Sequence, residues 1–369
     1  MKQIICIAPT RWGANAERTQ RLLQMLPDAK IIYFEVTTAG NPGKCYLKRH
    51  STEAKKPHPD VTVYRVPTIY YHELGHTFLE KRSFRRAATF IASKLRRHHV
   101  REAMLWCATP VLTEYLDMIP HKGMIYDCYR SWEKFPDQWE SQLAYDADIV
   151  LAASDNLLEH VTPCNRNSFL VPFGVDYSLH SQGKDPQPYD AAFEGLEAPI
   201  FGYLGNVGKG VHLMPLIRCA QNHPDWNFVI IGRVKKGHVD LPELKKCGNI
   251  YCIGARNEDE IPACISRCDA CFDLLHNDLA DEDVVPERIY AYLAAEKPVA
   301  CIYPRRYVPD FPDVIYGAQN SEEFETACLR AANELGRRKR GLRGEYARQA
   351  DWSLRGRTLN QILRDNGMM

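Results

Sequence analysis

Short apolar runs alternate with amphipathic stretches along the first half of the chain. The runs predict strands, namely QIICIAP, AKIIYFEV, VTVYRVP, EAMLWCA, GMIYD, DIVLAAS and SFLVPFGVD. Between them, apolar residues recur at spacings of three and four, as in NAERTQRLLQML, and predict helices. The longest predicted helix covers residues 75–99, with Phe84, Ile91 and Leu95 on one face. Residues 37–60 are polar and rich in Pro, Lys and His, which predicts a long loop.

The pattern restarts after a polar segment that contains several Pro and Gly residues and is predicted to be a linker. The second series of predicted strands is PIFGYLG, WNFVIIG, NIYCIG, ACFDLL and PVACIY. Helices are predicted between these strands and, after the last of them, at residues 321–336 and 341–364. Strands that alternate with helices indicate a parallel sheet covered on both faces. The fold class predicted is therefore α/β, with two doubly wound, Rossmann-like domains facing a central cleft.

Composition narrows the class of protein. Of the 369 residues, 45% are hydrophobic and 25% are charged, which is typical of an ordinary globular protein. The net charge of +1 gives no field that would attract nucleic acid, so we expect no such partner. No apolar run approaches the roughly 18 residues that a membrane span needs. The N-terminal run MKQIICIAP predicts a buried strand rather than a signal peptide, and a cytoplasmic location follows.

Thirteen cysteines without an export signal are predicted to be reduced core residues. The stretch CISRCDAC places Cys264, Cys268 and Cys271 at the spacing used by proteins that bind an iron–sulfur cluster through three thiolates. Such ligands need an irregular, exposed loop. Here the first two cysteines fall on a predicted helix and the third opens an apolar run, so core packing is the favoured interpretation.

The stretch HELGH, from His72 to His76, matches the zinc-binding helix of metallopeptidases, in which Glu73 would activate a water molecule. The extended form of the motif fails, because Leu79 and Arg82 occupy its Gly and His positions. A helix start with partly exposed histidines is therefore favoured over a zinc peptidase. No metal is predicted elsewhere either.

Several segments resemble a known family. In the second half, FGYLGNVGKGVHLMPLIRCAQNHPDWNFVIIGR and PERIYAYLAAEKPVACIYP resemble the nucleotide-sugar domain of GT-B-fold glycosyltransferases of the retaining family-4 type. In the first half, LWCATP, MIYDCYRSWEKFP, DADIVLAASDNLLEHV and FLVPFGVDYSLH resemble bacterial enzymes of the teichuronic-acid-biosynthesis type. The resemblance spans almost the whole chain. It implies an acceptor-binding domain at 1–178, a linker at 179–198, a nucleotide-sugar-binding domain at 199–340 and a terminal helix at 341–369 that crosses back to the first domain.

The resemblance also implies where the donor's diphosphate binds. GNVGKG follows a strand and opens a helix, so its glycines allow close backbone approach and its free N–H groups can meet phosphate. Lys209 and Arg233 would hold the diphosphate and stabilise the leaving group's charge, the alternative being solvated loop cations. The predicted donor-binding residues are Gly13, Gly205, Asn206, Gly208, Lys209, Arg233, Asp283, Val285 and Arg288. No cofactor is implied beyond the nucleotide-diphosphate sugar itself, which is a co-substrate.

Predicted acceptor contacts lie in the first domain. Arg11 and Trp12 follow the first strand, where Trp12 would stack on a sugar or pack under the loop. Asp127 ends another strand, where it would orient the acceptor hydroxyl or cap the following turn. The predicted catalytic residues are Asp127, Lys209 and Arg233.

Four positions depart from the family pattern, and two of them are Phe173 and Arg130, where relatives often carry Asn and Asp. Ala291 stands where relatives carry a Glu for the donor's hydroxyl groups, and Glu296 stands where they carry a Gly. Asp283 fits the first acidic position of the family's acidic pair, and Asp283, Glu282 or Glu287 would have to replace the missing carboxylate. The resemblance therefore leaves two hypotheses: a transferase, or a catalytically weak or silent relative that binds a nucleotide sugar or acts as a scaffold.

Residues 81–101, KRSFRRAATFIASKLRRHHVR, contain eight Lys and Arg residues and no acid. An amphipathic helix of one charge sign can lie on an anionic membrane, although a merely solvated or RNA-attracting helix is an equal alternative. The prediction is thus a glycosyltransferase that uses a nucleotide sugar and a cell-surface polysaccharide or lipid-linked acceptor, with retention. We expect it in the cytoplasm, on the inner face of the plasma membrane if the helix docks there.

Overall fold

The structure is a computed structural model that describes residues 2–13, 16–46, 54–72, 78–132, 134–186, 191–208, 211–274, 284–302, 311, 313–334 and 337–368. The chain divides into two compact units. Unit 1 contains Met1–Pro172 and Gly356–Met369, and unit 2 contains Phe173–Arg355.

Unit 1 is built on a sheet of eight strands. The strands described before unit 2 are β1 (Lys2–Ala8), β2 (Ala29–Glu35), β3 (Thr38–Ala39), β4 (Lys55–His58), β5 (Val61–Arg65), β6 (Ile69–Tyr70), β7 (Met104–Cys107), β8 (Gly123–Cys128), β9 (Ile149–Ala152) and β10 (Ser168–Leu170). The strand order in the large sheet is β10-β9-β8-β7-β1-β2-β5-β4, and β3 pairs with β6 separately. All neighbours in the large sheet are parallel except β4, which runs antiparallel to β5 at the edge. Central strands are buried on both faces, as continuous apolar runs require.

Helices connect the strands of unit 1. They are α1 (Arg18–Gln24), α2 (Pro42–Tyr46), α3 (Phe78–Arg97), α4 (Asp137–Asp146) and α5 (Asp155–Val161), with a 3-10 turn at Thr113–Met118. Helix α3 buries its apolar stripe, including Phe84, Ile91 and Leu95, so its basic side chains are left on the opposite face. Helix α5 begins where Ser154 Oγ accepts a hydrogen bond from the N–H of Leu157.

Unit 2 contains a six-stranded parallel sheet in the order β13-β12-β11-β14-β15-β16. Its strands are β11 (Ile200–Leu204), β12 (Asn227–Ile231), β13 (Ile250–Cys252), β14 (Ala270–Leu274), β15 (Val299–Ile302) and β16 (Ile315–Ala318). Its helices are α6 (Tyr177–His180), α7 (Met214–Asn222), α8 (Leu241–Leu244), α9 (Ile261–Ser266), α10 (Glu287–Ala294), α11 (Ser321–Ala332) and α12 (Arg337–Gln349), and the last helix, α13 (Trp352–Asp365), begins there. One apolar cluster lies on each face of this sheet. Unit 2 is therefore doubly wound, as predicted.

Three element predictions were wrong. The segment predicted as a long loop, 37–60, contains α2, β3 and the edge strand β4. The segment predicted as a linker, 179–198, contains 3-10 turns at Ser181–Lys184 and Ala191–Phe193, and Phe193 is only 1% exposed because it packs into the core of unit 2. The strand β16 was not predicted, because its four residues include an exposed glycine and give a weak apolar signal.

The predicted single helix at 341–364 is two helices, and the break has a tertiary cause. Val175 N–H donates to Ala350 O, and Trp352 N–H donates to Val175 O, both at 3.0 Å, so an extended segment is inserted where the helix would continue. A Cβ atom at Gly174 would lie 2.7 Å from Ala350 O, so this close approach requires glycine. The pairing explains why unit 2 starts at Phe173, whereas the predicted domain boundary was residue 178.

All thirteen cysteines are free thiols. Cys264, Cys268 and Cys271 are at most 2% exposed in the core, and burial raises the pKa of the Cys271 thiol. This favours core packing over the iron–sulfur interpretation. Among the described residues, no group of three His, Cys, Asp or Glu side chains is arranged to hold a metal ion. Likewise, no helix in the described ranges is long and apolar enough to cross a membrane.

Candidate functional site

Two glycines make a tight junction where β11 and β12 end. Gly205 has a φ of +136°, and its N–H donates to Ile231 O at 3.0 Å. A Cβ atom at Gly232 would lie 2.0 Å from Gly205 O, a distance that no side chain tolerates. Gly205, the first glycine of GNVGKG, is therefore required by its positive φ, and Gly232, which follows β12, is required by the close approach of the two backbones.

Arg233 lies beside this junction with its side chain exposed. Its backbone N–H donates to Asn206 Oδ1 at 2.9 Å, and its carbonyl accepts the N–H of Val207 at 2.9 Å. These bonds fix the backbone of both predicted donor loops against each other. Within the described ranges, the guanidinium of Arg233 forms no hydrogen bond or ion pair, so its charge is available to an anion.

Arg288 is held by a residue that the sequence analysis did not single out. Its Nε lies 2.6 Å from Asp273 Oδ2, and its Nη2 lies 2.8 Å from Asp273 Oδ1, which is a two-point ion pair. Asp273 is in β14 and is 0% exposed, whereas the Arg288 side chain is 23% exposed. Three of the five N–H groups of the guanidinium remain without a partner in the described part of the chain.

Two tyrosines complete the surroundings of Arg288. Its guanidinium lies 5.5 Å from the ring centre of Tyr203, within the range of a cation–π contact. Tyr292 Oη accepts the N–H of Leu204 at 2.6 Å, which ties α10 to the end of β11. Burial raises the pKa of both tyrosine hydroxyls, so both stay neutral at ordinary pH.

Helix α10 begins at the same edge of the sheet. Glu287 Oε1 accepts the indole N–H of Trp352 at 3.1 Å, so the first turn is anchored to the start of α13. The N-terminus of a helix presents unpaired backbone N–H groups that favour an anion. Val285, predicted to contact the donor, is 8% exposed and packs in the core with its side chain, so only its backbone is suited to that role.

Ala291, one turn after Arg288, is 1% exposed and belongs to the apolar core. The position at which the glycosyltransferases carry a Glu is thus filled by a buried methyl group that packs in the core, and no cavity among the described residues is left there for a donor hydroxyl.

Some of the predicted residues lie outside the described part of the chain. They are the predicted donor residues Lys209 and Asp283, and residues 73–76 of the HELGH stretch. His72 is described, and its N–H donates to Glu80 Oε1 at 2.9 Å.

A wide pocket of about 760 Å³ adjoins Arg233. Its walls carry apolar side chains such as Leu241 and Leu244, and four cationic residues without an acid: Arg233, Lys235, Lys236 and Lys245. The volume falls within the range of small-molecule sites. Together with Arg288 and the glycine junction, the pocket gives the carboxyl edge of this sheet a positive, partly apolar surface.

The remaining predicted residues are in unit 1. Trp12 N–H donates to Glu35 Oε1 at 3.1 Å, and its ring packs edge-to-face on Tyr33 with centroids 5.1 Å apart. Arg11 and Gly13 are exposed beside it. Gly13, which was grouped with the donor residues, thus stands next to the predicted acceptor residues at the end of β1.

The interpretation of Asp127 needs correction. Its side chain is 0% exposed, Oδ1 accepts from Arg18 Nε at 3.0 Å, and Oδ2 accepts from Thr19 Oγ1 at 2.9 Å. A carboxylate that is buried and engaged at both oxygens does not orient an acceptor hydroxyl. Arg18 also donates to Val171 O, so Asp127 holds together the start of α1 and the ends of β8 and β10.

No family model matches the chain. TuaH of Bacillus subtilis (strain 168), described provisionally as a teichuronic acid biosynthesis glycosyltransferase, is 23% identical over an alignment of 292 residues that covers 72% of this chain and 72% of TuaH. A trehalose-6-phosphate protein from E. coli bound with UDP-2-fluoro glucose superposes with a TM-score of 0.70 at 12% identity, covering 100% of this chain and 99% of that one. The fold is that of the GT-B glycosyltransferases.

A second solved GT-B structure, sucrose-phosphate synthase from Thermosynechococcus elongatus, has a TM-score of 0.67 at 13% identity and covers 99% of both chains. The predicted resemblance to GT-B glycosyltransferases and the predicted α/β fold class are therefore confirmed, with two Rossmann-like units that are each built on a mainly parallel sheet. The relatives also agree with the predicted enzyme class, glycosyltransferase.

Proposed function

We propose that this GT-B protein transfers a sugar from a nucleotide-diphosphate sugar to a cell-surface polysaccharide or a lipid-linked glycan, with retention. The observation that carries the proposal is the set of cationic and N–H groups at the carboxyl edge of unit 2. Arg233 is exposed and unpaired among the described residues, Arg288 is fixed by Asp273, and α10 starts beside them. In open parallel sheets, ligands bind at this edge.

In this proposal the cationic and N–H groups act by electrostatic stabilisation of the leaving group. When the bond between the sugar's anomeric carbon and the diphosphate oxygen breaks, negative charge develops on the leaving diphosphate. Preorganised donors aimed at that charge stabilise the transition state more than the ground state. Arg233, Arg288 and the first N–H groups of α10 are the donors that the described part of unit 2 supplies.

A retaining transfer needs little from a protein base, because an oxygen of the leaving phosphate can take the proton of the acceptor hydroxyl. The new bond then forms between the anomeric carbon and the acceptor oxygen. This route is consistent with the burial of Asp127, whose two oxygens are engaged by Arg18 and Thr19. The UDP-sugar bound by the E. coli protein and the teichuronic acid assignment of TuaH support the donor and acceptor classes respectively.

We propose further that unit 1 lies on an anionic membrane through the outer face of α3. Five cations on this face are exposed and form no ion pair with other described residues, namely Lys81, Arg82, Arg85, Arg96 and Arg97. Phe78 is 77% exposed and Leu79 is 42% exposed at the start of the helix. Cations attract anionic headgroups, and apolar side chains beside them can enter the interface.

The test of transfer is release of nucleoside diphosphate from uridine, guanosine, adenosine and thymidine diphosphate sugars, with and without glycan acceptors. We expect release from one donor class, stimulated by an acceptor. Binding of a donor without release would instead support the silent-relative hypothesis, which rests on Ala291. No binding and no release with any donor would contradict both.

A further inference from the structure

We propose that Asp273 is a positioning residue for the donor: it holds Arg288 so that the free edge of the guanidinium faces the donor diphosphate. The proposal rests on the proposed function, because it assumes that the diphosphate binds at this edge of unit 2. Asp273 itself makes no contact with the donor in this account, since it is 0% exposed.

Asp273 is an acidic residue within a buried strand, which is an unusual position for a charged side chain. It lies in β14 between Phe272 and Leu274, which are 0% and 2% exposed, in a strand buried along its length. An ionised carboxylate is costly in such surroundings unless it is paired and hydrogen-bonded. Both of its oxygens are satisfied by Arg288 alone, so the strand supplies a rigid base for one guanidinium.

Another buried arginine–carboxylate pair of unit 2, Arg343–Glu334, can be compared with this one. Arg343 is 0% exposed, and all three of its guanidinium nitrogens are engaged inside the protein: Nη1 and Nη2 donate to Glu334 and Nε donates to Val314 O. Arg288 differs because its side chain is 23% exposed and only one edge of the guanidinium is engaged. The Arg343–Glu334 pair therefore only stabilises the fold, whereas the Arg288–Asp273 pair also presents donors outward.

Two neighbours lie close to the Arg288 side chain. The ring of Tyr203 lies 5.5 Å from the guanidinium, and a Cβ atom built on Gly205 would lie 3.9 Å from Arg288 Cδ. The side chain therefore passes beside the glycine junction that closes the predicted phosphate loop. Holding a donor group in the productive orientation is worth more than its charge alone.

The change in anion affinity on neutralising Asp273 distinguishes a positioning role from a simple effect of its charge. A carboxylate close to an anion site repels the anion, so its neutralisation should strengthen anion binding if charge were all that mattered. If Asp273 instead positions Arg288, its neutralisation should weaken anion binding. The two accounts predict opposite changes for one substitution.

The experiment is calorimetric titration of inorganic pyrophosphate, a probe that does not depend on the identity of the base or sugar. The proteins are the full-length wild type, Asp273→Asn, Arg288→Gln, the double variant and Glu334→Gln as the matched control. We expect Arg288→Gln to weaken binding about tenfold, as loss of a charged hydrogen bond implies, and Asp273→Asn to weaken it several-fold. The double variant should match Arg288→Gln, because Asp273 acts only through Arg288.

The control loses a comparable buried pair far from the donor loops in sequence and should keep its pyrophosphate affinity while its Tm falls. Unchanged or tighter binding by Asp273→Asn would overturn the positioning role, as would a wild type that binds no pyrophosphate. If Asp273→Asn does not fold, Arg288→Lys serves instead: it keeps the charge but not the two-point contact, and equal binding would overturn the proposal. Failure of the proposed function is seen separately, as pyrophosphate binding with this pattern but no donor consumption.

Discussion

Arg18 and Asp127 form a buried ion pair in unit 1, with Nε and Oδ1 3.0 Å apart and exposed fractions of 2% and 0%. The pair joins the first turn of α1 to the end of β8, and Arg18 extends it to the backbone at Val171. An acid at the end of a parallel strand is a natural candidate for chemistry. Asp127, however, is buried and bonded to Arg18, so we assign it a role in stabilising the fold.

We therefore predict that Asp127→Ala mainly lowers stability. Removing the carboxylate leaves the Arg18 guanidinium buried without its partner, which typically costs about 3–5 kcal/mol in the free energy of unfolding. Urea denaturation followed by circular dichroism measures the change. Asp146→Ala, which removes an exposed carboxylate from α4, is the control and should change stability by less than about 0.5 kcal/mol. If Asp127→Ala keeps the stability of the wild type but loses donor turnover, Asp127 acts on the acceptor and the structural assignment is wrong.

The glycine junction yields a second prediction. Gly232→Ala places a methyl group 2.0 Å from Gly205 O, so the two strand ends must separate. We expect a loss of about 1–3 kcal/mol in stability, as for other overpacked sites, together with weaker binding of pyrophosphate. Gly248→Ala is the control, because a Cβ atom there meets nothing within 4 Å. Equal effects of the two substitutions on pyrophosphate affinity would contradict the role given to the junction.

The basic face of α3 is tested with vesicles. Changing Arg82, Arg85, Arg96 and Arg97 to Gln removes four exposed cations, each worth about 1 kcal/mol near an anionic surface, so binding to phosphatidylglycerol vesicles should fall more than about tenfold. Arg86 is left in place because its Nη2 donates to Cys45 O at 2.7 Å and to Thr68 O at 3.1 Å.

The matched control for the vesicle experiment changes Lys30, Lys56, Lys122 and Lys134 to Gln, which removes the same charge from other exposed positions of unit 1. Cosedimentation measures both variants at one ionic strength, since surface attraction is screened by salt. An equal loss in both variants would show a general charge effect, and no loss in either would exclude docking through α3.

The Arg343–Glu334 pair makes stability depend on pH in a defined direction. Burial raises the pKa of Glu334, but hydrogen bonds from Arg343 and Tyr316 outweigh it and hold the pKa below the ordinary 4.5. A group whose folded pKa is depressed stabilises the fold above its unfolded pKa and loses that effect as pH falls through the folded value. The stability difference between wild type and Glu334→Gln should thus be full above pH 4.5 and shrink below it. A difference that stayed constant to the lowest pH would contradict this assignment.

Local pattern was sufficient for most of the sheets and not for their edges or breaks. Strand β14 was predicted from ACFDLL because five of its six residues are apolar, and the structure has it at Ala270–Leu274. Strand β4 was missed because all four of its residues are exposed, so it has no apolar signal. The break between α12 and α13 could not be predicted either, since it is made by Val175, far away in sequence.

The same distinction applies to the site. Gly205 and Arg233 were found because a glycine-rich turn and a cation after a strand are local signals. Asp273 was overlooked although a charged residue within an apolar strand is itself a signal, because its meaning depends on Arg288, fifteen residues later. Asp127 was misinterpreted for a related reason: its position was predicted, but its partners Arg18 and Thr19 are known only from the tertiary structure.

The measurement that tests the central claim most directly is equilibrium titration of uridine, guanosine, adenosine and thymidine diphosphates into the wild type, Arg233→Gln and Arg267→Gln. The account predicts that at least one nucleotide binds the wild type and that Arg233→Gln weakens it about tenfold or more. Arg267→Gln, with the same change in net charge at an exposed position after α9, should bind like the wild type. Absence of binding by all four nucleotides, or equal affinity in Arg233→Gln, would contradict a diphosphate site at the carboxyl edge of unit 2.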